Sequence, residues 1–351
     1  MAGFRIIGSG RYLPGEPYTN DMLSRVLDTS DEWIYKRTGI RQRHYCPEGQ
    51  GPSDLAVPAA RNAIEDAGIE PSSIDFILFN TMTPDYLLPG SGAEFAAKLG
   101  IPGVPALDMR QQCAAFVYSF QIASAMLTSG AAKRILIVGS EAHAGYMPWH
   151  EWDVLDGKTD KPQSQEDRER ATRHRGFCII FGDGAGALLL EATSEGDAGL
   201  LSAELHSDGS QIEQLRIPAG FKERPFINQK VVDEERMFLF MNGKEVFKHA
   251  ISKVPQAVRA ACKKASVSLD DIDWFVAHQA NDRINIAIRE RMKLAPAKVP
   301  SNIKNYGNTS GGTIPILMDE MRRDGRMKAG QLICVFALGA GMHWGAVIIR
   351  L

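Results

Sequence analysis

Apolar and polar residues follow two distinct rhythms along this chain, and one block of the pattern occurs twice. "AARNAIEDAGIEPSSIDFILFNTMTP", starting at Ala59, places apolar residues three and four apart, then a short polar turn, then an apolar run. That order predicts an amphipathic helix, a turn and a buried strand. "AVRAACKKASVSLDDIDWFVAHQAND", starting at Ala257, repeats it. Arg61 and Arg259, Ala67 and Ala265, and Asp75 and Asp273 each stand 198 residues apart. A second echo lies at an offset of 197, where "RILIVGSEA" from Arg134 resembles "QLICVFALG" from Gln331. Both are strand-like runs rich in β-branched residues.

Helix–strand units in this order predict parallel sheets covered by helices. Two unrelated segments could share that grammar once; two echoes at nearly one offset favour duplication. The expected organisation is two similar α/β halves, 1–195 and 196–351, divided within the polar stretch "EATSEGDAG" that follows the strand "GALLLE".

Composition narrows the class without naming a chemistry. The 351 residues are 44% apolar, enough for a large core. A formal net charge of −2 gives no overall attraction to nucleic acid or to an anionic membrane, so neither is an expected partner. No apolar run reaches the ~18–20 residues of a membrane helix, and the opening "MAGFRIIGSGRYLPG" reads as strand and turn, not as a signal peptide. A cytoplasmic protein is the expectation. The cysteines, Cys46, Cys113, Cys178, Cys262 and Cys334, form no CxxC pair, so free thiols are expected in place of a zinc or dithiol site. "GSGRYLPG" lacks the spacing of a dinucleotide fingerprint, no phosphate-loop or metal motif occurs, and no cofactor is expected.

Three residues at turns carry candidate chemistry. In "DMRQQCAAFVYSF", Cys113 stands where a polar turn becomes an apolar helix. A helix N-terminus carries roughly half a positive charge and unpaired N–H groups, which bias a thiol toward nucleophilic thiolate. The plainer reading is a small buried hydrophobe, which suits the other four cysteines. His278 ends the strand "IDWFVA", the sheet edge where α/β proteins gather their sites; it could equally bond a loop carbonyl. Asn308 lies in "NYGNTSGG", whose glycines allow close approach of a ligand; it could also be a plain turn asparagine. The repeat relates two of these places. Counting 197 on from Cys113 reaches residue 310, in the Asn308–Gly312 turn, which also opens an apolar helical run.

With these residues in view, the chain resembles the β-ketoacyl-acyl carrier protein synthase III family of the thiolase superfamily. The matching segments run in order through "GSGRYLP", "TSDEWIYKRTGIRQRH", the cysteine helix, "FGDGAGALLL", "HQANDRI", "NYGNTSGG", "DGRMKAGQL" and "GAGMHWGAVIIRL". The resemblance implies a thiolase-like five-layered α/β fold of two pseudo-duplicated halves, usually a homodimer. It implies Cys113 as nucleophile with His278 and Asn308, and an oxyanion hole from the backbone N–H groups of Cys113 and Ala340. Coenzyme A contacts are implied at Trp33, Arg37 and Arg175, with Asn281 in the channel. Carrier-protein docking is implied at Lys248, Arg283 and Arg291. The implied reaction begins when an acyl-CoA acylates Cys113. A malonyl thioester, on acyl carrier protein or coenzyme A, then loses CO2 and its carbanion attacks the acyl-cysteine.

The chain departs from the family at several points. Gln111 and Gln112 stand where small residues are common, Ala115 where glycine is, and Lys244 where a ligand-side asparagine is. In the acyl pocket, Leu88 replaces a gating aromatic and Leu338 an aromatic packed on the histidine. The smaller gate residue, together with a loop rebuilt by insertion, suggests a primer longer than acetyl. An insertion near 143–175 carries Tyr146, Met147, Trp149 and Trp152, then a dense charge run. The aromatics are expected at the acyl tunnel or the dimer edge, the charges in a solvated loop or exposed helix. Two other readings stay open. One is an acyltransferase of secondary metabolism that moves the acyl group to oxygen, nitrogen or another carbon. The other is a non-catalytic partner subunit like the chain-length factors, against which retention of Cys113, His278 and Asn308 speaks.

Overall fold

The computed structural model describes residues 3–194 and 198–351, so the division expected between 195 and 196 lies outside the described residues. The first large sheet holds β1 (Gly3–Tyr12), β2 (Phe76–Asn80), β3 (Ala106–Met109), β4 (Arg134–Glu141) and β5 (Gly184–Thr193), in the spatial order β1–β5–β4–β2–β3. The second holds β6 (Gly199–Ser207), β7 (Trp274–Ala277), β8 (Leu332–Gly339) and β9 (His343–Arg350), in the order β6–β9–β8–β7. The order β1–β5–β4–β2 of the first sheet recurs as β6–β9–β8–β7 in the second.

Both sheets are mixed, a correction to the parallel sheets that the helix–strand grammar implied. β2 pairs parallel with β4, and β7 with β8, across helical crossovers. β9 runs antiparallel to both β8 and β6. Only Ala340, Gly341 and Met342 separate β8 from β9, too short a link for a crossover.

The main helices are α1 (Asp31–Thr38), α2 (Pro52–Ala67), α3 (Ala115–Thr128), α4 (Gln165–Arg173), α5 (Gly243–Lys264), α6 (Asp282–Met292) and α7 (Thr313–Arg323). Alternation along the strands divides the core among them. Ile135 and Ile137 of β4 point to a central cluster with Phe116 and Phe120 of α3 and Leu317 and Met321 of α7. Leu136 and Val138 point the other way, onto Leu55, Ala59 and Ala63 of α2. In β8, Ile333 and Val335 join the central cluster, while Cys334 and Phe336 meet Val254 and Val258 of α5 and Ile288 of α6. The layers are therefore helix, sheet, central helix pair, sheet, helix.

Each central helix is entered through a single 3-10 turn, Gln112–Ala114 before α3 and Ser310–Gly312 before α7. The strand ends crowd these turns. A Cβ at Gly139 of β4 would lie 2.0 Å from the Gly311 carbonyl oxygen. One at Gly339 of β8 would lie 2.9 Å from the backbone nitrogens of both Cys113 and Ala114.

The aromatic part of the insertion joins a cluster that includes Ile180 and Phe181, which also line the cavity described below. Trp149 is buried, with Tyr45 6.1 Å and Trp152 5.7 Å away between ring centres, beside Leu23 and Leu27. Leu23, Leu27 and Tyr45 form the apolar surface that the insertion's aromatic residues cover. The charge run forms α4, capped by Ser164, whose Oγ accepts from the Asp167 N–H at 3.2 Å. It is more than a solvated face. Arg168 donates to the carbonyls of Ser24, Arg25 and Leu27, and Arg173 and His174 bond Glu235 at 2.6 and 2.8 Å. Among the described residues no helix is long and apolar enough to cross a membrane.

The crowding at Gly139 yields a direct test. Gly139→Ala forces backbone from backbone and is expected to destabilise the fold by about 1–3 kcal/mol, read as a lower urea midpoint. Gly145→Ala, where a Cβ meets nothing within 4 Å, should leave the midpoint in place.

Candidate active site

The two 3-10 turns meet. Cys113 Sγ lies 3.3 Å from Ser310 Oγ, a contact between residues 197 apart in the chain. Gln112 reaches the turn in the left-handed region, at φ 52°, with its Nε2 donating to the Arg110 carbonyl at 3.0 Å. Ser310 sits in the opposing turn at φ 44°. Cys113 itself is 8% exposed.

Asn308 is held from both sides of its backbone. Its N–H donates to the Ile180 carbonyl at 2.9 Å, and its carbonyl accepts from the Gly182 N–H at 3.1 Å. The side-chain Oδ1 accepts from the Ser310 N–H at 2.7 Å. With Oδ1 committed, the amide presents its NH2 to the cavity that Asn308 lines. His278 continues β7, where its N–H donates to the Phe336 carbonyl at 2.9 Å and its own carbonyl accepts from Asn285 at 3.2 Å. Its Nδ1 lies 2.6 Å from Thr313 Oγ1, which is also 3.1 Å from the Ser310 carbonyl oxygen. Nε2 is left for the cavity.

Sequence reading missed three residues here. Ser310 and Thr313 touch the thiol and the imidazole. Only the repeat offset pointed to Ser310, and nothing marked Thr313. Glu141, fully buried at the end of β4, bonds the Gly311 N–H at 3.1 Å through Oε1. Its Oε2 accepts from the N–H and hydroxyl of Thr83, the N–H of Met82 and the hydroxyl of Thr81, at 2.8–3.1 Å. An acidic residue closing an apolar strand was the available signal.

Electrostatics correct the expected thiolate bias. Burial lifts the Cys113 thiol to about 12; the Ser310 contact offsets part of this and the nearby Glu141 charge adds to it. Burial pushes the His278 imidazole down to about 3. Desolvation is the largest effect at both, and the resting groups are a neutral thiol and a neutral imidazole.

Cys113, His278 and Asn308 line one cavity of about 530 Å³. Arg37, Lys244, Lys248, Asn281 and Arg283 also line it, as does Leu338. Trp33 stands apart from the wall. Its ring has the guanidinium carbons of Arg37 and Arg175 at 4.1 and 4.6 Å from the centroid, a stack that joins the three implied coenzyme A residues. Ala340 is off the cavity wall and has no positive φ, so its backbone accommodates the Cβ. Its neighbour Gly339 packs directly on the Cys113 amide. Arg291 is exposed on α6 and outside the cavity. Leu88, expected in an acyl pocket, is 87% exposed on a surface loop and lines no part of this cavity within the single chain. Gln111 precedes the turn and Gln112 opens it, and neither lines the cavity. Among the described residues no cluster of acidic, histidine or cysteine side chains could hold a metal.

Comparison with known proteins agrees with this architecture. Residues 107–157 and 166–209 match the family described as 3-oxoacyl-[acyl-carrier-protein (ACP)] synthase III, and residues 262–351 its C-terminal part. The break between the first two segments falls inside the insertion. The chain is 39% identical to the β-ketoacyl-[acyl-carrier-protein] synthase III of Rhizorhabdus wittichii over 345 residues, covering 98% of each chain. It is 37% identical to that of Bradyrhizobium diazoefficiens over 350 residues, again 98% of each. The crystal structure of 3-oxoacyl-[acyl-carrier-protein] synthase III from Aquifex aeolicus matches with a TM-score of 0.84 at 32% identity, covering 99% of this chain and 100% of that one. The one from Pseudomonas aeruginosa matches with a TM-score of 0.83 at 32% identity, covering 99% and 98%. Full-length identity at this level, on the same fold, means that the chain belongs to the β-ketoacyl-acyl carrier protein synthase III family.

Proposed function

We propose that this chain condenses an acyl group from acyl-CoA with a malonyl thioester, releasing CO2 and a 3-oxoacyl thioester, with Cys113 as the covalent acyl carrier. The observation that carries the reading is one thiol, one imidazole and one carboxamide NH2 on a single cavity with basic residues along its wall. Arg37, Lys248 and Arg283 are exposed there and complement the phosphates of coenzyme A and of a carrier-bound pantetheine. We read Lys248, Arg283 and the more distant Arg291 as the docking side for acyl carrier protein. The Arg37–Trp33–Arg175 stack is our candidate seat for the adenine.

Two steps follow from the geometry. In the first, the Cys113 sulfur attacks the thioester carbonyl, its proton passes to His278 Nε2 and from there to the departing sulfur, the acyl C–S bond breaks, and coenzyme A leaves as the thiol. Backbone N–H groups at Cys113 and Ala340 bond the tetrahedral oxyanion. In the second, the Asn308 NH2 and a protonated Nε2 of His278 donate to the malonyl thioester carbonyl. The C–CO2 bond breaks, the electron pair becomes an enolate, and its carbon bonds the acyl carbonyl while the Cys113 C–S bond breaks. The sulfur leaves as thiolate and takes up one proton.

His278 must thus accept at Nε2 in one step and donate there in the next. Thr313 accommodates both, because its hydroxyl hydrogen can point to the Ser310 carbonyl or to His278 Nδ1. Thr313 is a positioning residue in this scheme. The neutral thiol and imidazole mean that charge is created only when substrate is present. We read the replacement of an aromatic by Leu338 as room for a primer longer than acetyl. The surface loop Tyr86–Leu88, 59–87% exposed, offers an apolar face that a second copy would cover, which supports a homodimer.

Transfer to an oxygen, nitrogen or other carbon acceptor would use the same acyl-cysteine. The deciding experiment is intact-mass spectrometry after mixing with acyl-CoAs, followed by malonyl-acyl carrier protein. The expected result is one acyl adduct on Cys113, absent in Cys113→Ala, and its discharge with CO2 release. An adduct that malonyl thioesters leave in place would favour the other acceptors; no Cys113 adduct would favour a non-catalytic subunit.

Iodoacetamide labelling of Cys113 is expected to climb from pH 6 to pH 10 without levelling, because burial raises its thiol to about 12. A plateau below pH 9 would indicate a stabilised thiolate. Thr313→Val should slow turnover about 10-fold, the loss of one buried hydrogen bond, while Thr313→Ser stays near the native rate.

A further inference from the structure

The charge run that forms α4 does more than tie the insertion down. Arg168, Glu169, Thr172 and Arg173 of α4, with Arg175 just beyond it and Asp28 before α1, line a second cavity of about 440 Å³. Arg168 and Thr172 are four residues apart, as are Glu169 and Arg173, so the wall is one strip of the helix. None of the coenzyme A contacts implied by resemblance lies on α4. The second cavity shares no lining residue with the one that holds Cys113.

One side chain sets where this cavity lies. Arg175 lines it and also stacks on Trp33, 4.6 Å from the ring centroid. The candidate adenine seat and the second cavity are therefore neighbours across a single guanidinium.

The polar atoms of the wall are only partly used. Arg168 is committed, because both of its terminal nitrogens donate to carbonyls, those of Ser24, Arg25 and Leu27. Arg175 spends Nη1 on the Asp28 carbonyl at 2.9 Å. Thr172 Oγ1 accepts from the Asp28 N–H at 2.9 Å, which leaves its own hydrogen to donate. Arg173 is exposed and bonds Glu235 at 2.6 Å through Nη2. Among the described residues no other bond holds Arg173, so its Nε and Nη1 hydrogens remain. Asp28 and Glu169, both exposed, add two carboxylates.

This mixture has a chemical meaning. Guanidinium and hydroxyl groups donate to phosphate oxygens. Carboxylates accept from the hydroxyls of a sugar. A ligand that suits the wall carries a phosphate monoester and a free hydroxyl side by side. A ribose 3′-phosphate is such a group, and in coenzyme A it is joined to the adenine through that one ribose.

We propose that the cavity at the end of α4 binds the ribose 3′-phosphate of coenzyme A, with Arg173 and Thr172 as the residues that read it. The inference rests on the acyl-CoA reading above and gives the charged half of the insertion a function. It also separates the two kinds of thioester. A carrier-bound pantetheine has no adenosine and no 3′-phosphate, so the site engages coenzyme A thioesters alone.

The test uses acetyl and octanoyl thioesters, each on coenzyme A and on 3′-dephospho-coenzyme A, which lacks only the phosphate in question. The readout is kcat/KM for Cys113 acylation with the phosphate over that without it, a ratio in which a partly inactive preparation cancels. The ratio is expected to be about 10 in native protein, the worth of hydrogen bonds to a charged group. It should fall to near 1 in Arg173→Ala, fall by about 3-fold in Thr172→Val, and be partly restored in Arg173→Lys. Glu235→Ala breaks the same ion pair but keeps Arg173, so its ratio should stay at or above the native one. A drop there as large as in Arg173→Ala would make Arg173 a structural residue and overturn the inference. So would a native ratio near 1, or one that Arg173→Ala leaves unchanged, while acylation of Cys113 by either thioester still supports the acyl-CoA reading. No acylation by any of them overturns both.

Discussion

Two backbone contacts that leave no room for a side chain govern the rest of this molecule. Gly139, in the first sheet, sits against Gly311 in the second half's turn, and Gly339, in the second sheet, sits against the Cys113 amide in the first half's turn. The contacts are reciprocal: each sheet seats the other half's helix entry. Seating both turns brings Cys113 to Ser310. The Ser310 N–H then fixes the Asn308 carboxamide, and Thr313, one step into α7, meets the His278 ring. Positions far apart in the chain thus inherit their geometry from two glycines. Shape complementarity between close-packed backbones is stiff, which is why a site with so few polar contacts can still be well ordered.

The same packing explains the electrostatics. A thiol and an imidazole enclosed by protein lose hydration that neither regains from a charged partner, so both rest neutral. Glu141 is the contrasting case. It is equally buried, but five donors surround its two oxygens, and those donors belong to the Thr81–Thr83 loop and to Gly311. It acts as a clamp across the halves, holding the second turn to the loop after β2.

Much of this was legible before any coordinates. The offset of 197 in apolar patterning placed residue 310 opposite Cys113, because duplicated helix entries meet at a shared axis, and the two residues do touch. The β-branched runs "RILIVGSEA" and "QLICVFALG" read correctly as strands, and the folded chain buries both of their faces. What stayed illegible depends on distances in space. Periodicity carries no strand direction, so the antiparallel β9 was read as parallel; the shortness of the Ala340–Met342 link was the missed clue. Trp149 and Trp152 advertise burial but not against which surface, and Tyr45 and Leu27 lie far off in sequence. The helix N-terminus at Cys113 is a local signal, whereas desolvation, the largest effect on the thiol, sums over everything around it. The resemblance implied a pocket role for Leu88, yet on the single chain it is 87% exposed on a loop.

The stack at Trp33 has a further consequence. Two guanidinium groups already lie against the indole, those of Arg37 and Arg175. A flat aromatic head group that stacks on this ring competes with a guanidinium for it. Occupancy is then a swap, one π contact for another, and the net affinity from stacking is small. The displaced cation is released beside the newcomer, free to turn toward whatever negative charge trails behind it. Recognition at such a site tests for a ring and an anion together, since a ring without a charge offers the evicted arginine nothing in return.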